Sequence, residues 1–289
     1  MQLSAVPNAK ANPLSARERE IVASVEVPGM MRDLADLGGP RVTGTIQARR
    51  AAELIRDKVA AIGGWDVQVE QLSGHGMGGQ VPVFNVVADR KGTAPDGQRQ
   101  RVVVGSHLDT APGAPGANDD GSGAVALLAL ARSLATSPTR QDVRLAWFDG
   151  EEVGLVGARA HVAARKQEPM KTMAMIEAEM LGSPNGAPVL LFAGKTDAHA
   201  GDQLVDAAGR LGVGLEVSPD RPYGSDHNVF ADVGVPAMVL STTAPPGHRI
   251  LRQDPNYHSP NDTIANLNTK RLGEMADLLA VAVNGYANS

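Results

Sequence analysis

The chain reads as a single α/β domain with a mostly parallel, mixed central β-sheet and helices on both faces. Three observations lead there. Strand-like and helix-like segments alternate along most of the sequence. Several strand candidates are short and wholly apolar, Val102–Val103–Val104 most plainly, as in central parallel strands buried on both faces. The 289 residues contain no internal repeat and no low-complexity linker, and at that length one large domain buries roughly 75% of the unfolded surface.

In chain order, residues 1–19, with Pro7, Asn8, Asn12 and Pro13, read as a loose lead-in, and the domain as residues 20–289. A helix is expected from Arg41 to Ile62, its apolar and basic faces marked by Ile46, Arg49, Arg50, Leu54 and Ile55, and Gly63–Gly64 stops it. Trp65–Val69 and Val81–Ala88 read as strands joined by the Gly-rich segment Ser73–Gln80. After the Val102 strand, a Gly/Pro loop from Ala111 to Gly123 feeds a helix over Ala124–Leu134. Further strands are expected at Val143–Phe148, Met173–Ile176, Val189–Phe192 and Ala237–Leu240. Further helices are expected at Gly157–Arg165, Asp202–Leu211 and Lys270–Val283. In such a sheet, functional groups gather at the carboxyl ends of the strands.

Composition removes several functions. Acidic residues outnumber basic ones by 32 to 27, against the basic stripe of a nucleic-acid binder. Few aromatics are present (Trp 2, Tyr 3, Phe 4), so a base-stacking platform is not expected. No apolar run reaches the ~18 residues that span a bilayer, and Met1–Glu20 lacks the apolar core of a signal peptide. Cysteine is absent, which excludes disulfides and thiolate metal sites.

The chemistry-bearing residues lie after the strand candidates. His107 and Asp109 are two apart, so on an extended chain they share a side, and a carboxylate behind a ligand histidine fixes its tautomer. Asp119 and Asp120 precede a helix start, where acids either cap the helix or hold a cation. Glu151 and Glu152 follow Asp149 at the end of the Val143–Phe148 strand. Adjacent carboxylates repel unless a cation or proton relieves them, and they point apart, as one ligand and one general base would. Glu177 and Glu179 share one strand face, and His258 sits in a polar, turn-rich segment from Pro255 to Thr263. Carboxylates with two histidines and no thiolate suit zinc, manganese or cobalt, and two metals could share a carboxylate. His75, His161, His199 and His248 fall outside these clusters and read as surface residues.

Taken together, Gly105–Thr110, Pro115–Gly123, Phe148–Gly154, Glu177–Gly182, Ser225–Phe230 and Tyr257–Thr263 resemble, in order and spacing, the M28 zinc aminopeptidases of the bacterial leucyl aminopeptidase type. The resemblance runs from about Ile21 to the C-terminus. It implies the phosphorylase/hydrolase-like zinc-peptidase fold and a dinuclear Zn²⁺ site with two ions per chain. His107 matches a ligand of one metal, Asp119 the bridging carboxylate, and Glu152 and His258 the ligands of the second. Glu151 matches the general base, and Asp109 the acid that orients His107. Tyr257 matches a tyrosine that some members aim at the substrate carbonyl, and the bond after the bridging acid is often cis. Glu179 stands where the family usually has Asp, one methylene shorter, with Glu177 as an alternative ligand. Asp226, in Ser225–Asp226–His227, would receive the substrate's α-ammonium, or else caps a helix over Asn228–Asp232.

The resemblance further implies a peptide substrate, no nucleic-acid or membrane partner, a monomer, and export to the periplasm or medium. Other readings remain: a single-zinc glutaminyl-cyclase-like transferase, a carboxypeptidase or dipeptidase of the same fold, or a catalytically silent binding fold. The M20 peptidases also show His-x-Asp and paired glutamates, but they insert a separate domain for which the stretch from Glu179 to His258 has no room.

Overall fold

The computed structural model describes residues 12–166, 171–218, 224–242 and 254–289. Before the first strand come helices α1 (Ala16–Ser24), α2 (Val27–Leu37) and α3 (Ile46–Ile62). Then follow β1 (Asp66–Gly76), β2 (Gly79–Arg90), β3 (Arg101–His107), α4 (Gly121–Ala135), β4 (Asp142–Phe148), α5 (Val156–Ala164), β5 (Thr172–Glu179) and β6 (Val189–Phe192). The remaining elements are α6 (Asp202–Leu211), β7 (Glu216–Ser218), α7 (His227–Asp232), β8 (Ala237–Ser241) and α8 (Thr269–Asn288). The strands form one mixed sheet in the order β1-β2-β4-β3-β5-β8-β6-β7. Its centre, β4-β3-β5-β8, is parallel; β1 and β2 add an antiparallel hairpin, and β6 runs antiparallel to β8. The expected α/β domain is therefore observed.

Alternation along β3 explains its apolar run. Val102 and Val104 enter the large core beneath α4 and α8, while Val103 enters a smaller core on the other face with Phe148, Met175 and Phe230. Gly105 and His107 share the Val103 side, as Glu177 and Glu179 share the Met175 side. The acids and the histidine thus emerge in line on adjacent parallel strands, because β3 and β5 pair with Gly105 opposite Glu177. Buried residues wrap around α4 from Gly121 to Leu134, as in a helix enclosed by sheet and helices together.

Three expectations about elements need correction. The lead-in contains the start of α1, where Ser15 and Glu18 form a capping box and Ile21 is fully buried. The Arg41–Ile62 helix begins only at Ile46, capped by Thr45, which frees Arg41 and Thr43 for other contacts. The Ser73–Gln80 connection is mostly strand, with its turn at residues 77–78. Its glycines mark close approach: a Cβ at Gly74 would sit 2.7 Å from Val156 Cγ1, and one at Gly76 2.9 Å from the Val153 carbonyl. Among the described residues, no helix is long and apolar enough to cross a membrane.

Candidate metal centre

Each motif reaches the carboxyl end of the parallel strands by a different local device. His107 ends β3 and is fully buried. Its Nε2 lies 3.0 Å from Asp119 Oδ1, and its Nδ1 lies 3.1 Å from the Asp109 carbonyl and 3.6 Å from Asp109 Oδ1. Asp109, the residue expected to orient His107, faces Nδ1 with its main chain as well as its carboxylate. The Asp109 carboxylate also accepts from the Thr43 hydroxyl (2.8 Å) and from the Glu151 and Glu152 N–H groups (3.0 and 3.2 Å). One buried acid therefore ties the β3 exit to the β4 exit.

The loop before α4 carries two acids with separate tasks. Asp120 caps α4 through the Gly123 N–H, and it also accepts from the N–H groups of His107 and Met180, joining the ends of β3 and β5. Asp119 does not cap. Its Oδ1 faces His107 and its Oδ2 lies 3.2 Å from His258 Nε2. The Asp119–Asp120 peptide is cis, as the resemblance implies. Gly116 is required here: it adopts φ +68°, and a Cβ would come 2.2 Å from Thr110 Cγ2 and 2.8 Å from the Asp119 carbonyl. Arg41, wholly buried, donates to the carbonyls of Leu108, Pro115 and Gly116, clamping this loop.

Glu152 Oε2 lies 2.9 Å from His258 Nε2. His258 stacks on Tyr257, ring centroids 3.7 Å apart, and takes the left-handed φ of +51°. Ligand atoms of His107, Asp119 and Glu179 lie within 4.8 Å of one another, as do those of Asp119, Glu152 and His258. Asp119 belongs to both groups with a different oxygen toward each histidine, as a bridging carboxylate would. Imidazole and carboxylate donors suit a zinc-like dication, and Glu152 Oε1 is buried without a hydrogen-bond partner among the described residues. The donors fit a zinc-like metal centre.

Electrostatics agree. Burial alone would lower the His107 pKa, but hydrogen bonds to Asp109 and Asp119 and the field of Glu151 raise it well above the usual value. Burial opposes ionisation of Asp119, yet His107 and His258 outweigh it and hold Asp119 at about 2. Hydrogen bonds to Asp119 and Glu152 lift His258 to about 10. Burial, then the negative fields of Glu179, Asp226 and Asp109, raise Glu151 well above a normal glutamate, as a proton-accepting base requires. Burial and the surrounding acids keep the Tyr257 hydroxyl protonated, so it remains a donor.

Asp226 is wholly buried at the start of α7, makes no capping bond, and neither oxygen has a hydrogen-bond partner among the described residues. The capping alternative therefore falls. Glu177 is likewise buried and unpartnered, with Asp226 its strongest charged neighbour. Of the histidines read as surface residues, His75 and His199 are exposed and His248 lies outside the described residues. His161 is a correction: it is buried, 2.9 Å from Glu70 and edge-on to Phe148, because the helix face presenting it packs on β1. Thr43, Arg41 and Asp254 lie outside the expected motifs, and Asn118 and Asp262 lie inside them without an expected role. Asp254 and Asp262 flank the motif histidine and could have been found by asking what orients it.

The model of peptidase family M28 matches residues 85–283, more than two thirds of the chain. Leupeptin-inactivating enzyme 1 of Streptomyces exfoliatus is 27% identical over 97% of this chain and 66% of its own length. Leucine aminopeptidase 2 of Trichophyton equinum is 30% identical over 71% of this chain and 45% of its own. The chain thus spans less than two thirds of either relative. Among solved structures, a zinc aminopeptidase from Bacillus subtilis superposes with a TM-score of 0.78 at 18% identity, covering 92% of this chain and 96% of that one. Glutaminyl cyclase of Porphyromonas gingivalis gives 0.75 at 19% identity, covering 92% and 98%. At these identities the structural likeness speaks for the fold.

Proposed function

Because the chain belongs to peptidase family M28, we propose that it is a metal-dependent aminopeptidase releasing the N-terminal residue of peptides. The observation that carries this reading is the pair of ligand clusters sharing Asp119, with the Glu151 main chain held by Asp109. Two Zn²⁺ ions would be held, one by His107, Asp119 and Glu179, the other by Asp119, Glu152 and His258. When bound, they would polarise the scissile carbonyl and acidify a water.

The chain's own residues do the rest. Glu151, with its raised proton affinity, takes a proton from the attacking water and delivers it to the leaving amine. Tyr257, whose hydroxyl stays protonated, donates to the carbonyl oxygen as negative charge develops there. Asp109 fixes the His107 ring through Nδ1 and holds the Glu151–Glu152 main chain, so ligand and base keep one spacing. The substrate's α-ammonium meets the acid-rich side formed by Glu177 and Asp226, whose buried carboxylates have no hydrogen-bond partner among the described residues and favour a cation. The names of the relatives, leucine aminopeptidase and leupeptin-inactivating enzyme, support an apolar N-terminal residue as substrate.

Two complete clusters favour this reading over a single-zinc cyclase, which needs only one. Metal-loaded protein should hydrolyse leucyl p-nitroanilide and leave an N-terminal glutaminyl peptide uncyclised. Cyclisation without anilide hydrolysis would replace the proposal by the transferase reading.

A further inference from the structure

His258 needs something other than packing to hold it. Its side chain is 37% exposed, its φ of +51° is unfavourable for a residue with a Cβ, and it belongs to no helix or strand. Besides its contacts with Tyr257, Asp119 and Glu152, its position depends on the hydrogen bonds of its own segment. Asp254 and Asp262 stand four residues before and after it, and both send carboxylates to the same place.

That place is Asn118, buried and fully engaged. Its main-chain N–H donates to Asp262 Oδ1 (2.7 Å), and its Nδ2 donates to Asp254 Oδ2 (2.6 Å) and Ser183 Oγ (2.9 Å). Its Oδ1 accepts from the Gly182 N–H (2.9 Å), and its carbonyl accepts from Ser122 Oγ (2.7 Å). The other acceptors of Asp254 stay local, and that of Asp262 reaches the same loop as Asn118. Asp254 Oδ1 receives the Asn256 N–H, the Asp254 carbonyl receives the Tyr257 N–H, and Asp262 Oδ2 receives the N–H of Asp119. The segment bearing His258 is clipped at both ends to the residue preceding Asp119. The β5 exit beyond Glu179 is clipped to the same amide.

We propose that Asn118 is a positioning residue that sets the separation of Asp119 and His258, and hence the geometry of the second metal site. The proposal rests on the two-metal reading above. An amide suits the task because it offers two donors and an acceptor in one plane. A carboxylate in its place turns an oxygen toward Asp254 Oδ2, and a shorter side chain leaves Asp254 buried without its partner. The first site, whose His107 and Glu179 are fixed within strands, depends far less on this clip.

The test is calorimetric titration of metal-depleted protein with Zn²⁺, comparing wild type, Asn118→Asp, and the exchange Asn118→Asp with Asp254→Asn. Wild type should bind two equivalents. Asn118→Asp should bind the first within about threefold of wild type and the second about 10- to 100-fold more weakly, the usual range for residues that orient ligands. In the exchange variant the amide introduced at 254 donates to the carboxylate at 118, and second-site affinity should return to within a few-fold. Asn118→Ser, which keeps the main-chain clip to Asp262, should show the same selective loss and serves if Asn118→Asp does not fold. Unchanged second-site affinity, equal weakening of both sites, or an exchange that restores nothing would overturn the proposal. A wild type that binds no second equivalent would overturn the two-metal reading itself, and the proposal with it.

Discussion

Glu151 shows how a side chain's role depends on what surrounds it. Its main-chain N–H is held by Asp109, while burial and neighbouring acids raise its proton affinity. Glu151→Gln keeps the shape and removes the base. It should bind metal like the wild type yet lose about 10²- to 10⁴-fold in kcat, the usual worth of a general base; elemental analysis with steady-state kinetics checks both halves. Glu179 tests reach. Its strand position is fixed by pairing with Ser241, so Glu179→Asp draws the carboxylate back by one methylene. Weaker binding of one equivalent and unchanged binding of the other are expected by Zn²⁺ titration. Strand alternation places His107, Glu177 and Glu179 on one side of the sheet from sequence alone, whereas the proposed roles of Glu151 and Glu152 come from the family resemblance. Asn118, Asp254 and Asp262 were not legible, since their partners lie up to 144 residues away and many are main-chain N–H groups common to every residue type.

At the level of elements, the sheet order and the buried helix decide what is robust. The wholly apolar Val102–Val103–Val104 run of β3 and the mostly apolar β4 announced the central strands, and α4 announced itself as a long apolar helix. The first two helices and the three-residue β7 carried weak local signals and became visible only through packing. Leu127, fully buried in the middle of α4, is fixed by the sheet and α8 together. Leu127→Ala should cost about 2–5 kcal/mol by denaturant unfolding. The junction of β1 and α5 predicts a pH effect. Burial raises the Glu70 pKa, but bonds from His161 and Arg165 outweigh it and hold Glu70 at about 2, below its ordinary 4.5. A carboxylate depressed on folding stabilises above its unfolded pKa, and that stability is lost as pH falls from about 4.5 through about 2. Glu70→Gln should therefore lower the melting temperature at neutral pH and flatten the acid limb of stability against pH, as read by thermal unfolding in a pH series.

Across the whole molecule, the absence of cysteine leaves the proposed metals entirely to carboxylate and imidazole, and part of the formal charge of −5 is the site itself. Asp119, Glu152, Glu179, Glu151 and Asp109 converge on the carboxyl end of the parallel strands together with the buried Glu177 and Asp226, an arrangement that repels itself until cations or protons enter. Metal bound only by the folded state at a thousandfold its Kd adds about 4 kcal/mol. The most direct measurement is leucyl p-nitroanilide hydrolysis by protein stripped with a chelator and then titrated with Zn²⁺, with bound metal counted at each step. The account predicts no turnover in the stripped protein and activity rising to a plateau as two equivalents bind. Full turnover without metal, or no turnover with both equivalents bound, would contradict it.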